Sequence, residues 1–169
     1  MRFVLDYYEA SGLNKNICCI FAHRKICESK ELSLRLFTTI EGLIVQNCVD
    51  TFLFGSKSRF NDLCYEIVSE LKEKYHHIKR VYVRAEFPVI DESYERYLLS
   101  RYEDTYFPQK LHHAGKAVYV ERNFEMIDNS QFCLVYYDEA HAPTKRKSGT
   151  KIALEYARKQ NKEIIFPEI

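Results

Sequence analysis

The chain has 169 residues, 46% hydrophobic and 29% charged, with a net charge of +1 from 25 basic and 24 acidic side chains. At about 100–200 residues per domain this is one domain, residues 1–169, and the composition excludes a disordered or collagen-like chain. The balanced charge supplies no global field for nucleic acid or an anionic membrane, and no apolar run reaches the roughly 18 residues of a membrane span.

In chain order, short apolar runs alternate with amphipathic stretches. Residues 1–15 offer at most an edge extension, with Phe3, Val4 and Leu5 as its apolar residues. Asn16–His23 (NICCIFAH) reads as a buried strand. Glu31–Asn47 is a helix, with Leu32, Leu36, Ile40, Leu43 and Ile44 on one face and Ser29 or Ser33 as its cap. Val49–Phe54 is a second strand, closed by Gly55. Arg59–Tyr75 is a second helix, with Phe60, Leu63, Cys64, Ile67, Val68 and Leu71 inward. Lys79–Phe87 is a third strand, ended by Pro88.

Asp91–Tyr102 reads as a helix, and Asp104–Gly115, with Pro108, as a loop. Ala117–Val120 is a short strand or the lead into a helix, and Glu121–Asn129 is a short helix. Phe132–Tyr137 is a buried strand, Asp138–Ser148 a basic loop, Gly149–Gln160 a helix and Glu163–Phe166 a last strand. In the Gly149–Gln160 helix, Ile152, Leu154, Tyr156 and Ala157 are the candidate inner positions. Strands alternating with helices require crossovers. The expected fold is therefore α/β: a Rossmann-like, doubly wound, mainly parallel sheet with helices on both faces.

The six cysteines do not suggest disulfides. Cys18, Cys19 and Cys133 sit in apolar runs and read as small buried hydrophobes in a reducing compartment. Met1–Ser11 has no apolar h-region of a signal peptide, so the expected location is cytoplasmic. No Cys-x-x-Cys pair frames a zinc site, and no metal is expected.

In a doubly wound domain, ligands bind beyond the carboxyl ends of the strands. The loops there are rich in anion-binding chemistry. Ala22-His23-Arg24-Lys25 brings cations and a switchable imidazole, or else forms an ordinary solvated turn. Gly55-Ser56-Lys57-Ser58-Arg59 enters a helix, where free N–H groups and the dipole favour phosphate. Gly55 permits a turn with positive φ, and Ser56 or Ser58 is available as a cap. Arg122 and Asn123, with Asp128 in the same segment, form a third polar group. The Arg122 fork suits a phosphate or carboxylate, or an internal pair that fixes the helix. Ser148-Gly149-Thr150, after the basic run Lys145-Arg146-Lys147, is the strongest anion site by sequence. Asp138 and Glu139 are candidates for ribose hydroxyls, or else cap or solvate the turn. His76-His77 closes a helix, exposed to solvent where a protonated imidazole suits the dipole, and His112-His113 lies in a loop with no metal-ligand partners at useful spacing.

Four stretches carry a resemblance to the SLOG superfamily, the Rossmann-like group of Smf/DprA and LOG proteins, and within it to the YpsA-like branch. They are IFAHRKI at 20–26, FLFGSKSRFNDLCYEIV at 52–68, ERNFEMIDNSQFCLVYYD at 121–138 and SGTKIALEYARKQNKEII at 148–165. The resemblance implies a Rossmann-like domain with phosphate on Ser148, Gly149 and Thr150. Gly55 and Ser56 match a second, glycine-rich family turn, with the family acid falling on Asn61 or Asp62. Ala22 stands where the family has glycine before His23-Arg24. The nucleophilic glutamate of the related deoxyribosyltransferases, three residues after the threonine, falls on Ala153. The first acid in that helix, Glu155, is rotated away by roughly 200° at 3.6 residues per turn.

The leading expectation is a module that binds or senses a nucleotide or nucleotide-derived phosphate, with no required cofactor and a homo-oligomer plausible. Its contacts would be Ser148, Gly149, Thr150, Gly55, Ser56, Lys57, His23, Arg24, Arg122, Asn123 and Asp128, with Phe60 or Phe87 covering the base. The alternative is a nucleoside N-glycosidic hydrolase or transferase, using an acid such as Asp62, Glu86 or Asp128. The third is a nucleic-acid or protein interaction module. The near-neutral net charge argues against nucleic acid as a partner; a continuous surface joining Arg24, Lys57 and Lys145–Lys147 would argue for it. No membrane partner is expected.

Overall fold

The computed structural model describes residues 16–111, 115–141 and 147–167. The expected edge extension at residues 1–15, the His112-His113 pair, and Lys145 and Arg146 lie outside the described residues. The elements are β1 Ile17–Ala22, α1 Lys30–Gln46, β2 Thr51–Phe54, α2 Arg59–Lys74, β3 Lys79–Val83 and α3 Glu92–Arg101. They continue with β4 Asp104–Tyr106, α4 Ala117–Asp128, β5 Phe132–Tyr136, α5 Gly149–Lys159 and β6 Glu163–Ile165.

The six strands form one parallel sheet in the order β4-β3-β2-β1-β5-β6. The chain winds outward from β1 to β4, then crosses back to place β5 on the other side of β1. This reversal creates the crevice in which doubly wound domains bind ligands. The Rossmann-like α/β expectation holds.

Burial on both faces explains the unbroken apolar runs of the central strands. Cys18, Ile20, Phe52, Phe54 and Leu134 point to one layer, against the apolar faces of α1 and α2. Ile17, Cys19, Phe21, Leu53, Val81 and Val135 point to the other, against α4 and α5. Cys19 and Cys133 face each other on neighbouring strands, with Sγ atoms 3.5 Å apart. Their mutual hydrogen bond and burial push the Cys133 thiol far above its ordinary pKa. All six cysteines are free thiols.

The five apolar residues expected inside α1 and the six expected inside α2 are all buried. The open choices of cap are settled: Ser29 Oγ accepts the Leu32 N–H at 3.0 Å, and Ser58 Oγ accepts that of Asn61 at 3.2 Å. In α5 the buried face is Thr150, Ala153, Leu154 and Ala157. The outer expectations Ile152 and Tyr156 are only half-buried.

Two local expectations are corrected, the loop at residues 104–106 and the end of the third strand. Residues 104–106 form an edge strand and not a loop, pairing Val81 with Asp104 and Val83 with Tyr106. Three half-buried residues, DTY, are too few and too polar to show an alternating pattern. Of the two readings of Ala117–Val120, the lead into a helix holds: residues 117–128 form one helix. The third strand also stops early, at Val83, and releases residues 84–91 to the carboxyl edge of the sheet. Among the described residues no helix is long and apolar enough to cross a membrane.

Candidate functional site

The carboxyl ends of β1, β2, β3 and β5 open into one cleft of about 1580 Å³. The loop after β1 supplies Ala22 to Cys27, the loop after β2 supplies Gly55, Ser56 and Lys57, and the long loop after β3 supplies Arg84 to Phe87. The start of α4 adds Lys116, Tyr119, Arg122 and Asn123, and the start of α5 adds Lys147 to Thr150. Every polar contact expected at the site therefore meets in one place, with a single exception. Asp128 ends α4 at the opposite edge of the sheet, where it accepts the Tyr156 hydroxyl at 2.8 Å. It is not part of the cleft, because a helix leading into β5 must finish at that strand's amino end.

Arg122 is 4% exposed. Its Nη1 donates to the carbonyls of Gly55 and, at 3.2 Å, Val83; its Nε donates to Asn123 Oδ1 at 3.0 Å. The expected internal pair with an acid is absent among the described residues. Arg122 instead ties α4 to the ends of β2 and β3, satisfying two carbonyls that leave the sheet. Burial lowers its pKa, opposed by Tyr82, Tyr119 and Glu86 nearby. The remaining nitrogen, Nη2, has no acceptor among the described residues, and the side chain lines the cleft. Arg122 is thus both a structural brace and a cation presented to the cleft.

Gly55 also differs from its expected role. It does not adopt positive φ. A Cβ there would lie 2.6 Å from Arg122 Nη1 and 2.9 Å from its Cδ, so glycine is needed for the guanidinium's approach. Gly149 shows the converse. A Cβ at 149 meets nothing within 4 Å, so the chain's own packing does not require glycine, and open space lies before the α5 amino end. Ser148 Oγ accepts the Lys151 N–H at 3.1 Å, as an ordinary helix cap. Its hydroxyl proton stays available, and Thr150 stands beside it, 8% exposed.

His23 stacks on Tyr137 with ring centroids 4.8 Å apart, and its backbone N–H donates to the Tyr136 carbonyl at 3.2 Å. Tyr136 Oη in turn accepts the Cys27 N–H at 3.3 Å. The end of β5 therefore fixes the β1 loop and leaves Arg24 and Lys25 exposed at its tip. Lys57 is exposed as well, and Lys147 is bonded to Glu155 at 2.7 Å. Of the two aromatic candidates, Phe60 is fully buried against Tyr136 and reaches no ligand. Phe87 is 58% exposed on the cleft rim.

Sequence reasoning missed Arg84, Lys116 and Tyr119. The sequence pattern puts Arg84 inside a strand and starts α4 four residues too late. Arg84 donates to the Phe87 carbonyl at 3.0 Å, which shapes the β3 loop. The Tyr119 hydroxyl donates to Glu86 across the cleft, and this bond raises the tyrosine's pKa. Of the acids considered for glycosidic chemistry, Glu86 lines the cleft and is engaged by Tyr119; Asp62, Asp128 and Glu155 do not line it. Among the described residues no group of three His, Cys, Asp or Glu comes together to hold a metal ion.

The overall charge hid the local one. Arg24, Lys25, Lys57, Arg84, Lys116, Arg122 and Lys147 line the cleft, against the carboxylates Glu86, Asp91 and Asp138, a surplus of four positive charges. Arg24, Lys57 and Lys147 share this one surface. The volume also exceeds the roughly 300–1,000 Å³ of small-molecule pockets.

No family model matches the chain, and no curated protein matches it. Among solved structures, DNA processing protein A from Helicobacter pylori, described for its single-stranded DNA binding mode, is similar in fold. The TM-score is 0.57 and the sequence identity 13%, over 90% of this chain. The match spans 65% of that protein's chain. This likeness bears out the Rossmann-like α/β fold. With the basic cleft, it corrects two expectations: that the ligand is a small nucleotide being sensed, and that nucleic acid is a poor partner for a nearly neutral chain. The fold on which the cleft is built belongs also to a protein that binds single-stranded DNA.

Proposed function

We propose that the cleft binds single-stranded nucleic acid, with phosphates on its cations and bases on its exposed rings. The carrying observation is the combination in one cleft of four surplus positive charges with the exposed rings of Phe87 and Tyr119. Proteins that hold single strands pair a basic groove with aromatic platforms, each stacked base contributing about 1–3 kcal/mol. The α5 amino end, with Gly149 open before it, receives a backbone phosphate on free N–H groups. Arg122 Nη2 and the exposed Lys57 and Arg24 continue the phosphate track. The fold likeness to a single-strand-binding protein supports the reading. The resemblance to the YpsA-like branch, carried by the stretches at 20–26, 52–68, 121–138 and 148–165, likewise implies a phosphate at Ser148, Gly149 and Thr150.

The test is fluorescence anisotropy with labelled dT20, a duplex of the same length and competing mononucleotides. Binding to dT20 should fall with salt at a log–log slope of about −0.7 per phosphate contacted. Phe87→Ala should weaken it at least fivefold. Equal affinity for duplex, or full displacement by millimolar mononucleotide, would sink the proposal.

A further inference from the structure

Resting on the single-strand reading above, we infer that the binding surface continues out of the cleft along α3. There Tyr97 and Arg101 form a second subsite for an unpaired base and its phosphate. Tyr94 lines the cleft. Its ring lies 6.2 Å from that of Tyr97 and within 14° of parallel. Tyr97 is 55% exposed. Positions 94, 97 and 101 share one stripe of the helix, since residues three and four apart are neighbours on its surface. The stripe starts in the cleft and runs down the outside of a ten-residue helix, a length of about 15 Å.

Arg101 closes the stripe. Its guanidinium carbon lies 6.0 Å from the Tyr97 ring centroid and 4.9 Å from that of Tyr65. The Tyr65 hydroxyl donates to the Arg101 carbonyl at 2.7 Å, which anchors the helix end beneath it. Three neighbouring cations lie against carboxylates: Lys72 and Arg80 against Glu103, and Arg96 within 3.8 Å of Glu92. Arg101 has no carboxylate partner among the described residues. A guanidinium beside an exposed ring offers a phosphate contact next to a stacking face. Bases paired within a duplex cannot reach that ring, so the ligand class is an unpaired strand. The strand must be long enough to leave the cleft.

The experiment compares fluorescein-labelled dT5 and dT20 on the full chain. Tyr97→Ala and Arg101→Ala should each weaken dT20 about tenfold and change dT5 less than twofold. Tyr97→Phe should restore dT20 binding, because the ring and not the hydroxyl is used. Arg101→Ala should also flatten the dT20 salt slope by about 0.7. A 4-thiothymidine photocrosslink from dT20 should map to Tyr97. Unchanged dT20 affinity in both alanine variants would overturn the inference while leaving the cleft reading intact. So would a Tyr97→Ala change in sedimentation without a change in dT20 affinity, which would mark a face for self-association. Wild-type protein that retains neither oligonucleotide would overturn both readings.

Discussion

The guanidinium of Arg122 occupies the space that a side chain at Gly55 would need. The distance from a Cβ at 55 to Arg122 Nη1 would be 2.6 Å, and that nitrogen is bonded to the Gly55 carbonyl itself. The pair joins the end of β2 to α4 and sets the depth of the cleft between them. Gly55→Ala should therefore destabilise the fold by about 1–3 kcal/mol, as overpacking does. In an Arg122→Ala background the same change should become neutral or stabilising by about 0.4–1 kcal/mol, because the backbone at 55 suits any residue. A double-mutant cycle by urea denaturation reads the coupling. Additive effects would show that the clash is relieved by other means.

The two serines of the β2 loop separate structure from binding. Ser58 is 1% exposed and caps α2; Ser56 lines the cleft and caps nothing. Ser58→Ala should cost about 1 kcal/mol of stability and leave dT20 affinity nearly unchanged. Ser56→Ala should leave the melting temperature in place. Equal thermal shifts in the two variants would contradict this division.

Much of this organisation was legible from the sequence, for physical reasons. Parallel strands buried on both faces must be apolar throughout, so β1, β2 and β5 stand out. The faces of α1 and α2 follow from one set of apolar spacings. The edge strand β4 did not show, because DTY pairs on one side only and carries no pattern. The cleft loops were found through the strand-end rule, which depends on topology alone. What each side chain does there was less visible. Arg122 looks like a ligand contact, but its role as a brace for two carbonyls depends on residues 67 and 39 positions away. The basic character was concealed because acids elsewhere on the chain cancel it in the total.

Acid should loosen the β3–β4 edge through Glu103. Burial would raise its pKa, but hydrogen bonds from the Arg80 side chain and backbone, with Lys72 nearby, hold it below the ordinary glutamate value. A group depressed in the folded state stabilises above its unfolded pKa, about 4.3, and that contribution is lost as pH falls through the folded value. Wild-type stability should therefore drop below about pH 4 by an amount that Glu103→Gln removes. For a partly exposed pair the scale is up to about 1 kcal/mol. Denaturation midpoints at pH 3 and pH 6 measure it. The same pH dependence in both proteins would assign the loss to other carboxylates.

Lys147 gives the sharpest test of the cleft's electrostatics, because its charge is held back. It bonds Glu155 at 2.7 Å, and this bond lowers the glutamate's pKa. Arg24 and Lys57 have no such partner among the described residues. Arg24→Gln and Lys57→Gln should each weaken dT20 binding and reduce the log–log salt slope by about 0.7, whereas Lys147→Gln should do so by less. Glu155→Gln acts in the opposite direction. It releases Lys147 to the strand and removes a negative charge beside it, so affinity at low salt should rise two- to fivefold and the slope should steepen. Both side chains are largely exposed, at 59% and 43%, so the fold should tolerate the change. Screening within about 10 Å at 0.1 M salt should erase the gain at high ionic strength. A Glu155→Gln protein that binds no tighter at any salt concentration would place the strand's path away from the α5 amino end, on the Arg24–Lys57 side of the cleft.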